Sequence, residues 1–437
     1  MTLDTTAKRR PFGLPFYFGW TIVAAGFMSM FVSNGMAFWA LQVFVGPMQA
    51  DTGWPRAEIM GALTVRWLVG GFGGLLVGKY FDRKHGPWII TLVGVLLDGG
   101  SMIALYWVKD PWVFILLFGV LGGVGSIGTG RLLSAVLIPK WFVAKRGLAM
   151  SIAVSGSGVS ALIMSPIANA INDTAGWREG WVWMGALTIA LLIPFLPFVR
   201  RAPEDMGLLP DDGAAPKPAA AGRVQVSAAS ERSYTLSEAM RSPTLWLLTL
   251  AMSIGLFSMS TNASSMVPFY RSLGFSAEVA AWGLAVYGVF SFLSRFVWGA
   301  VADRLSVQHA VVIQAICTSL GVGINLMAHT ETMMFAAAAF QGLALGGFLV
   351  LQPLIWPAYF GRKHLGSITG MTQFLTTFAM ASGPFFAGAM FDATGAYTWA
   401  YRVLIGTWLI CAALTFLVRP MTDKRAAPPT PQTAPAE

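Results

Sequence analysis

Apolar residues fill this chain in uninterrupted blocks of about 20 residues or more, and the stretches between them carry most of its charge. At 1.5 Å per residue, a helix of that length crosses a hydrocarbon core of about 30 Å. A soluble core helix does not need it. Lipid offers no partner to open backbone groups, so such runs have to be helical. The pattern predicts twelve transmembrane helices, at residues 17–46, 56–78, 87–107, 112–138, 147–171, 180–199, 243–270, 277–300, 308–328, 332–357, 366–390 and 398–418. The expected fold class is an all-α membrane protein of two six-helix halves.

Composition agrees: 55% of the 437 residues are hydrophobic and only 11% are charged, against about a quarter charged in soluble domains. Mean hydropathy is +0.63. The first span is too long for a signal peptide and has no small-residue cleavage site. Cys317 and Cys411 fall inside spans and read as small apolar side chains.

A formal charge of +9 would ordinarily suggest nucleic acid, but its placement argues otherwise. With the N-terminus inside, 21 of the 29 Lys and Arg fall on the inner side, against five in outer loops and their edges (Arg56, Lys109, Arg178, Arg271, Arg402). That bias sets orientation. Both termini are expected in the cytoplasm of a multi-pass inner (plasma) membrane protein, with the lipid bilayer as partner and no nucleic acid.

Residues 201–242, rich in Ala, Pro, Gly, Ser and charge, read as a flexible cytoplasmic linker. This divides the chain into an N-tail (1–16), a first half (17–200), the linker, a second half (243–419) and a disordered tail (420–437). The halves echo each other. GKYFDR (Gly78 to Arg83) closes span 2 and GAVADR (Gly299 to Arg304) closes span 8; IPKWFVAKRG follows span 4 and WPAYFGRKHLG follows span 10. A six-span repeat is the mark of many transporters, with the substrate between the halves near mid-membrane.

On these residues the chain resembles the major facilitator superfamily, whose loop signature between spans 2 and 3 is similar to GKYFDRKHG, with GAVADR as its second copy. FGW (Phe18 to Trp20), GWPR (Gly53 to Arg56), WFVAKRGLAM (Trp141 to Met150), GWR (Gly176 to Arg178) and the span-8 arginine are similar to the monocarboxylate transporter and oxalate–formate antiporter group. The resemblance implies a secondary active or facilitative transporter of a small organic anion, working by alternating access. The alternative within the superfamily is an exporter of a drug or other organic solute. The resemblance also implies that Asp82 and Asp303, with Arg83 and Arg304, pin an inner gate; the plain reading is a helix-end ion pair at each position.

Four ionisable residues lie inside spans: Arg66, Asp98, Arg131 and Arg295. Each costs at least about 2.5–3.5 kcal/mol at mid-bilayer, so each should face a wet cavity or a partner. They do not follow the repeat, which points to ligand chemistry rather than scaffold. The resembling group binds substrate carboxylate with a span-8 arginine at the place of Arg295, and a guanidinium suits that contact. Arg66 and Arg131 could each bind an anion or pair with Asp98; Asp98 and Arg66 lie at similar depth, so their pairing is the simplest structural reading. Asp98 is otherwise a candidate proton site.

Asn34, Gln42, Asn262, Tyr287, Gln341, Gln352 and Gln373 are candidate cavity polar groups, or else interhelical hydrogen-bonding partners. The chain departs from the group in three places: Phe38 stands near a span-1 lysine, Ser291 in place of an acid one turn before Arg295, and Gln373 is the main polar group of a span 11 that lacks the antiporters' lysine. Coupling to a proton or a counter-anion therefore stays open. GGVGSIG contains a literal G-x-G-x-x-G from Gly123 to Gly128, but no strand precedes it, so it reads as helix packing. H-E-x-x-H, G-x-S-x-G and clustered His or Cys pairs are lacking, so no enzyme chemistry, cofactor or metal is expected. A monomer is expected.

Overall fold

The computed structural model describes residues 15–213 and 233–419. The rest of the N-tail, residues 214–232 of the expected linker and the expected disordered tail lie outside the described residues. Twelve helices are long and apolar enough to cross a membrane: α1 (Gly19–Thr52), α2 (Glu58–Asp82), α3 (Gly86–Trp107), α4 (Pro111–Trp141), α5 (Arg146–Ala175), α6 (Trp177–Phe198), α7 (Pro243–Ser272), α8 (Glu278–Arg304), α9 (Val307–Leu326), α10 (Glu331–Phe360), α11 (Leu365–Thr394) and α12 (Thr398–Leu417). No strand occurs among the described residues. The predicted spans all recur, most of them extended into the loops, because helices go on pairing their backbone beyond the hydrocarbon edge.

Helix pairing repeats between the halves. α1 packs on α5 as α7 packs on α11; α2 on α4 as α8 on α10; α3 on α6 as α9 on α12. The halves meet chiefly through α2 against α11 and α5 against α8. Two inner helices depart from regular α geometry. α1 widens into a π-helical stretch at Ser33–Trp39. α4 does so at Ile115–Leu121 and then breaks at Gly130, whose backbone is extended (φ −103°, ψ −156°), before restarting as Arg131–Trp141. The glycines of GGVGSIG seat α3: a Cβ at Gly125 would lie 2.5 Å from the Asp98 nitrogen, and one at Gly128 would lie 2.1 Å from the Ile90 oxygen.

The ends of the segment expected as a flexible linker are folded. Asp211 accepts hydrogen bonds from Val143 N and Ala144 N, both at 2.7 Å, and Tyr234 N donates to Phe360 O at 3.0 Å. The Tyr17 hydroxyl shares its proton between Trp141 O (3.0 Å) and Leu209 O (3.2 Å). Burial, with Asp211, Glu204 and Asp212 nearby, pushes that hydroxyl well above its ordinary range, so it stays a donor. Composition signals flexibility only on average; here carboxylates and a tyrosine find fixed partners on the helix ends.

At this linker side the halves are joined by two matching contacts. Asp82, ending α2, accepts from Gly366 N, Ser367 N and the Ser367 hydroxyl at the start of α11, each at 3.0 Å. Asp303, near the end of α8, accepts from Gly147 N (2.7 Å) and Leu148 N (3.1 Å) at the start of α5. Each carboxylate thus satisfies free amides at the positive end of a helix in the other half. The helices touch backbone to backbone there: a Cβ at Gly147 would lie 2.0 Å from the Gly299 oxygen. Gly147→Ala should therefore force the halves apart on this side. Ser151, fully buried at the same α5–α8 contact, reports it: in a Ser151→Cys background, Gly147→Ala is expected to raise the labelling rate with a water-soluble thiol reagent at least about tenfold.

Candidate functional site: a cationic cavity between the halves

A cavity of about 320 Å³ lies between the halves, lined by α1, α2, α4 and α5 from the first and α7, α10 and α11 from the second. Its polar lining includes Asn34, Arg66, Arg131 and Gln373, together with Ser33, Ser126, Ser157 and Thr377. The break in α4 explains the position of Arg131. Gly130, Arg131 and Leu132 all line the cavity, so the restarted helix borders it with its positive end. Arg131 Nη2 donates to Gln352 Oε1 on α10 at 2.6 Å, a bond between the halves. Among the described residues no carboxylate pairs with Arg131.

Arg66 differs. Its Nη2 pairs with Asp98 Oδ1 at 2.5 Å, its Nη1 donates to Phe118 O at 3.2 Å, and its guanidinium lies 5.0 Å from the centre of the Phe118 ring. Thr129 donates to Asp98 Oδ2 at 2.8 Å. Arg66 is 3% exposed and Asp98 1%. Asp98 thus spends one oxygen on the Arg66 ion pair and the other on the Thr129 hydroxyl.

Arg295 is 7% exposed. Its Nη1 donates to Val154 O (2.8 Å) and Ser157 Oγ (3.2 Å) on α5, while Nε has no partner. Val154 and Ser157 line the cavity and Arg295 does not, so the guanidinium sits behind that wall. No carboxylate pairs with it among the described residues. The Tyr287 hydroxyl lies beside Asn262 and Ser291, within the field of Arg295. Asn262 belongs to a buried chain: Gln341 Nε2 donates to Asn262 Oδ1 (2.8 Å), Asn325 Nδ2 to Gln341 Oε1 (2.8 Å) and Tyr270 to Asn325 Oδ1 (2.6 Å). These residues tie α7, α9 and α10 together and do not line the cavity. Gln42, half-buried on α1, is not among the lining residues either. Asn34 does line it, with its amide donating to Met30 O at 3.0 Å.

At the linker side, Arg83 and Arg304 are exposed, and Arg83 lies 4.6 Å over the Tyr80 ring. The cation on Asp82 is instead Lys140, at 2.8 Å and 4% exposed. Arg362 of the second half donates to Lys140 O at 2.8 Å. Sequence reasoning missed Lys140, as well as Trp67, which lines the cavity beside Phe38. A signal for Trp67 was present: tryptophans usually gather at membrane interfaces, and this one lies mid-span beside Arg66.

Two six-helix halves enclosing a charged cavity at their interface define a membrane transporter. The Major Facilitator Superfamily model matches residues 27–273 and again 250–436, and the chain belongs to that family. It is 24% identical over 352 residues to an oxalate:formate antiporter of Oxalobacter formigenes, covering 79% of this chain and 78% of the relative. It is also 24% identical to human monocarboxylate transporter 11 over 448 residues, covering 96% and 87% of the two chains. In fold it is similar to the human organic anion transporter MFSD10, with a TM-score of 0.67 at 14% identity over 91% of this chain and 99% of that one.

Proposed function

We propose that the protein transports a small organic anion, a monocarboxylate or related carboxylate, by alternating access across the plasma membrane, with both termini in the cytoplasm. One observation carries this reading: the cavity presents a guanidinium, Arg131, that no carboxylate among the described residues neutralises. A cation at membrane depth without a counter-charge is costly, and an entering carboxylate offsets that cost with short, two-pronged, charge-assisted bonds. Arg295 adds a second positive charge behind the α5 wall, again without an acid among the described residues. Arg66 contributes little net field, because Asp98 cancels it. The relatives named for oxalate, formate and monocarboxylates support the same class.

In this mechanism the carboxylate displaces Gln352 Oε1 from Arg131. The empty protein holds its halves together there by one hydrogen bond; the loaded protein holds them through the ligand. Rocking then needs the Asp82 and Asp303 contacts to break and re-form. The test is counterflow in liposomes with the purified chain. Labelled carboxylates are expected to accumulate saturably, whereas their methyl esters are not. Equal movement of acid and ester would replace this reading with transport of an uncharged drug-like solute.

A further inference from the structure

We infer that the cavity selects monocarboxylic acids with a bulky aromatic or apolar body, and that Phe38 and Trp67 form the surface that reads it. The inference rests on the carboxylate reading above and narrows it. Two guanidiniums line the cavity, Arg66 and Arg131. Arg66 is committed to Asp98, and Arg295 lies behind the wall. One guanidinium is left for direct contact, which matches one carboxylate. A second carboxylate on the same ligand would lose its water with no cation to replace it.

The remaining wall is largely apolar. Phe38 on α1 and Trp67 on α2 stand with ring centres 6.0 Å apart and an interplanar angle of 24°, and both border the cavity. Met259 on α7 and Met380 on α11 line it from the other half. Thioethers adapt to varied shapes and favour aromatic contacts. A volume of about 320 Å³ would hold on the order of ten waters. An acid of two or three heavy atoms would leave most of that water against apolar walls, where it finds few partners. An aromatic body would displace it and fill the space between the two halves.

The experiment is counterflow in liposomes with four probes: phenylacetate, acetate, oxalate and phenylacetamide. Phenylacetate is expected to exchange at least tenfold faster than acetate or oxalate at equal concentration. Trp67→Ala should lower the phenylacetate-to-acetate ratio at least fivefold, and Trp67→Phe should restore most of it. Thermal stabilisation of each purified variant by phenylacetate provides a readout independent of turnover. Oxalate or acetate exchanging as fast as phenylacetate, or an unchanged ratio in Trp67→Ala, would overturn the selectivity and leave carboxylate transport standing. Phenylacetamide moving as fast as phenylacetate, or no acid moving at all, would overturn the carboxylate reading and this inference with it.

Discussion

Arg131→Gln is expected to lower carboxylate exchange by about 30- to 5,000-fold, the span given by about 2–5 kcal/mol for removing one partner of a buried, hydrogen-bonded charge pair. The fold should survive, because glutamine can still hydrogen-bond to Gln352 and the substitution relieves a cation that has no acid beside it among the described residues. Arg131→Lys should fall between: it keeps the charge but loses the planar fork that meets both carboxylate oxygens. Arg295→Gln should cost less than Arg131→Gln, since the Arg295 guanidinium is held by Val154 and Ser157 on the far side of the cavity wall. The measurement is initial exchange rate at saturating and sub-saturating acid, with thermal unfolding of each variant as the control. Full exchange by Arg131→Gln, or a larger loss in Arg295→Gln, would move the carboxylate site to α8.

Much of this architecture is legible in one dimension. Span length, the linker's composition and the paired GKYFDR and GAVADR ends all follow from chemistry that a sequence displays directly. The Arg66–Asp98 pair is nearly so, since both lie at mid-depth in neighbouring spans. The bond from Arg131 to Gln352 is not legible. Its partners are 221 residues apart, and whether they meet depends on how α4 and α10 are rotated about their axes. On the α4 side the helix is re-aimed at the break at Gly130, and nothing in a run of apolar and small residues signals an extended residue there. Asp82 illustrates the same limit at the linker side. Its neighbour in sequence is Arg83, yet its partners are Lys140 and the first amides of α11. A helix end turns adjacent side chains in different directions, so adjacency misleads.

Asp98→Asn is expected to destabilise the protein by about 3–5 kcal/mol, the cost of leaving one member of a buried ion pair without its counter-charge. The loss should be asymmetric. Arg66 in Asp98→Asn loses its counter-charge and keeps the Phe118 carbonyl, the Phe118 ring and the substituted amide as neighbours. Asp98 in Arg66→Met keeps its bond to Thr129, so that variant should lose less. Replacing both residues, Arg66→Met with Asp98→Leu, removes two desolvated charges together and should recover most of the stability. Unfolding of the detergent-purified variants, read as a double-mutant cycle, measures the coupling. If Asp98→Asn unfolds with the wild type, the pair holds little together. Asp98 would then be available as a proton site, and the pH dependence of exchange in that variant would show whether it serves as one.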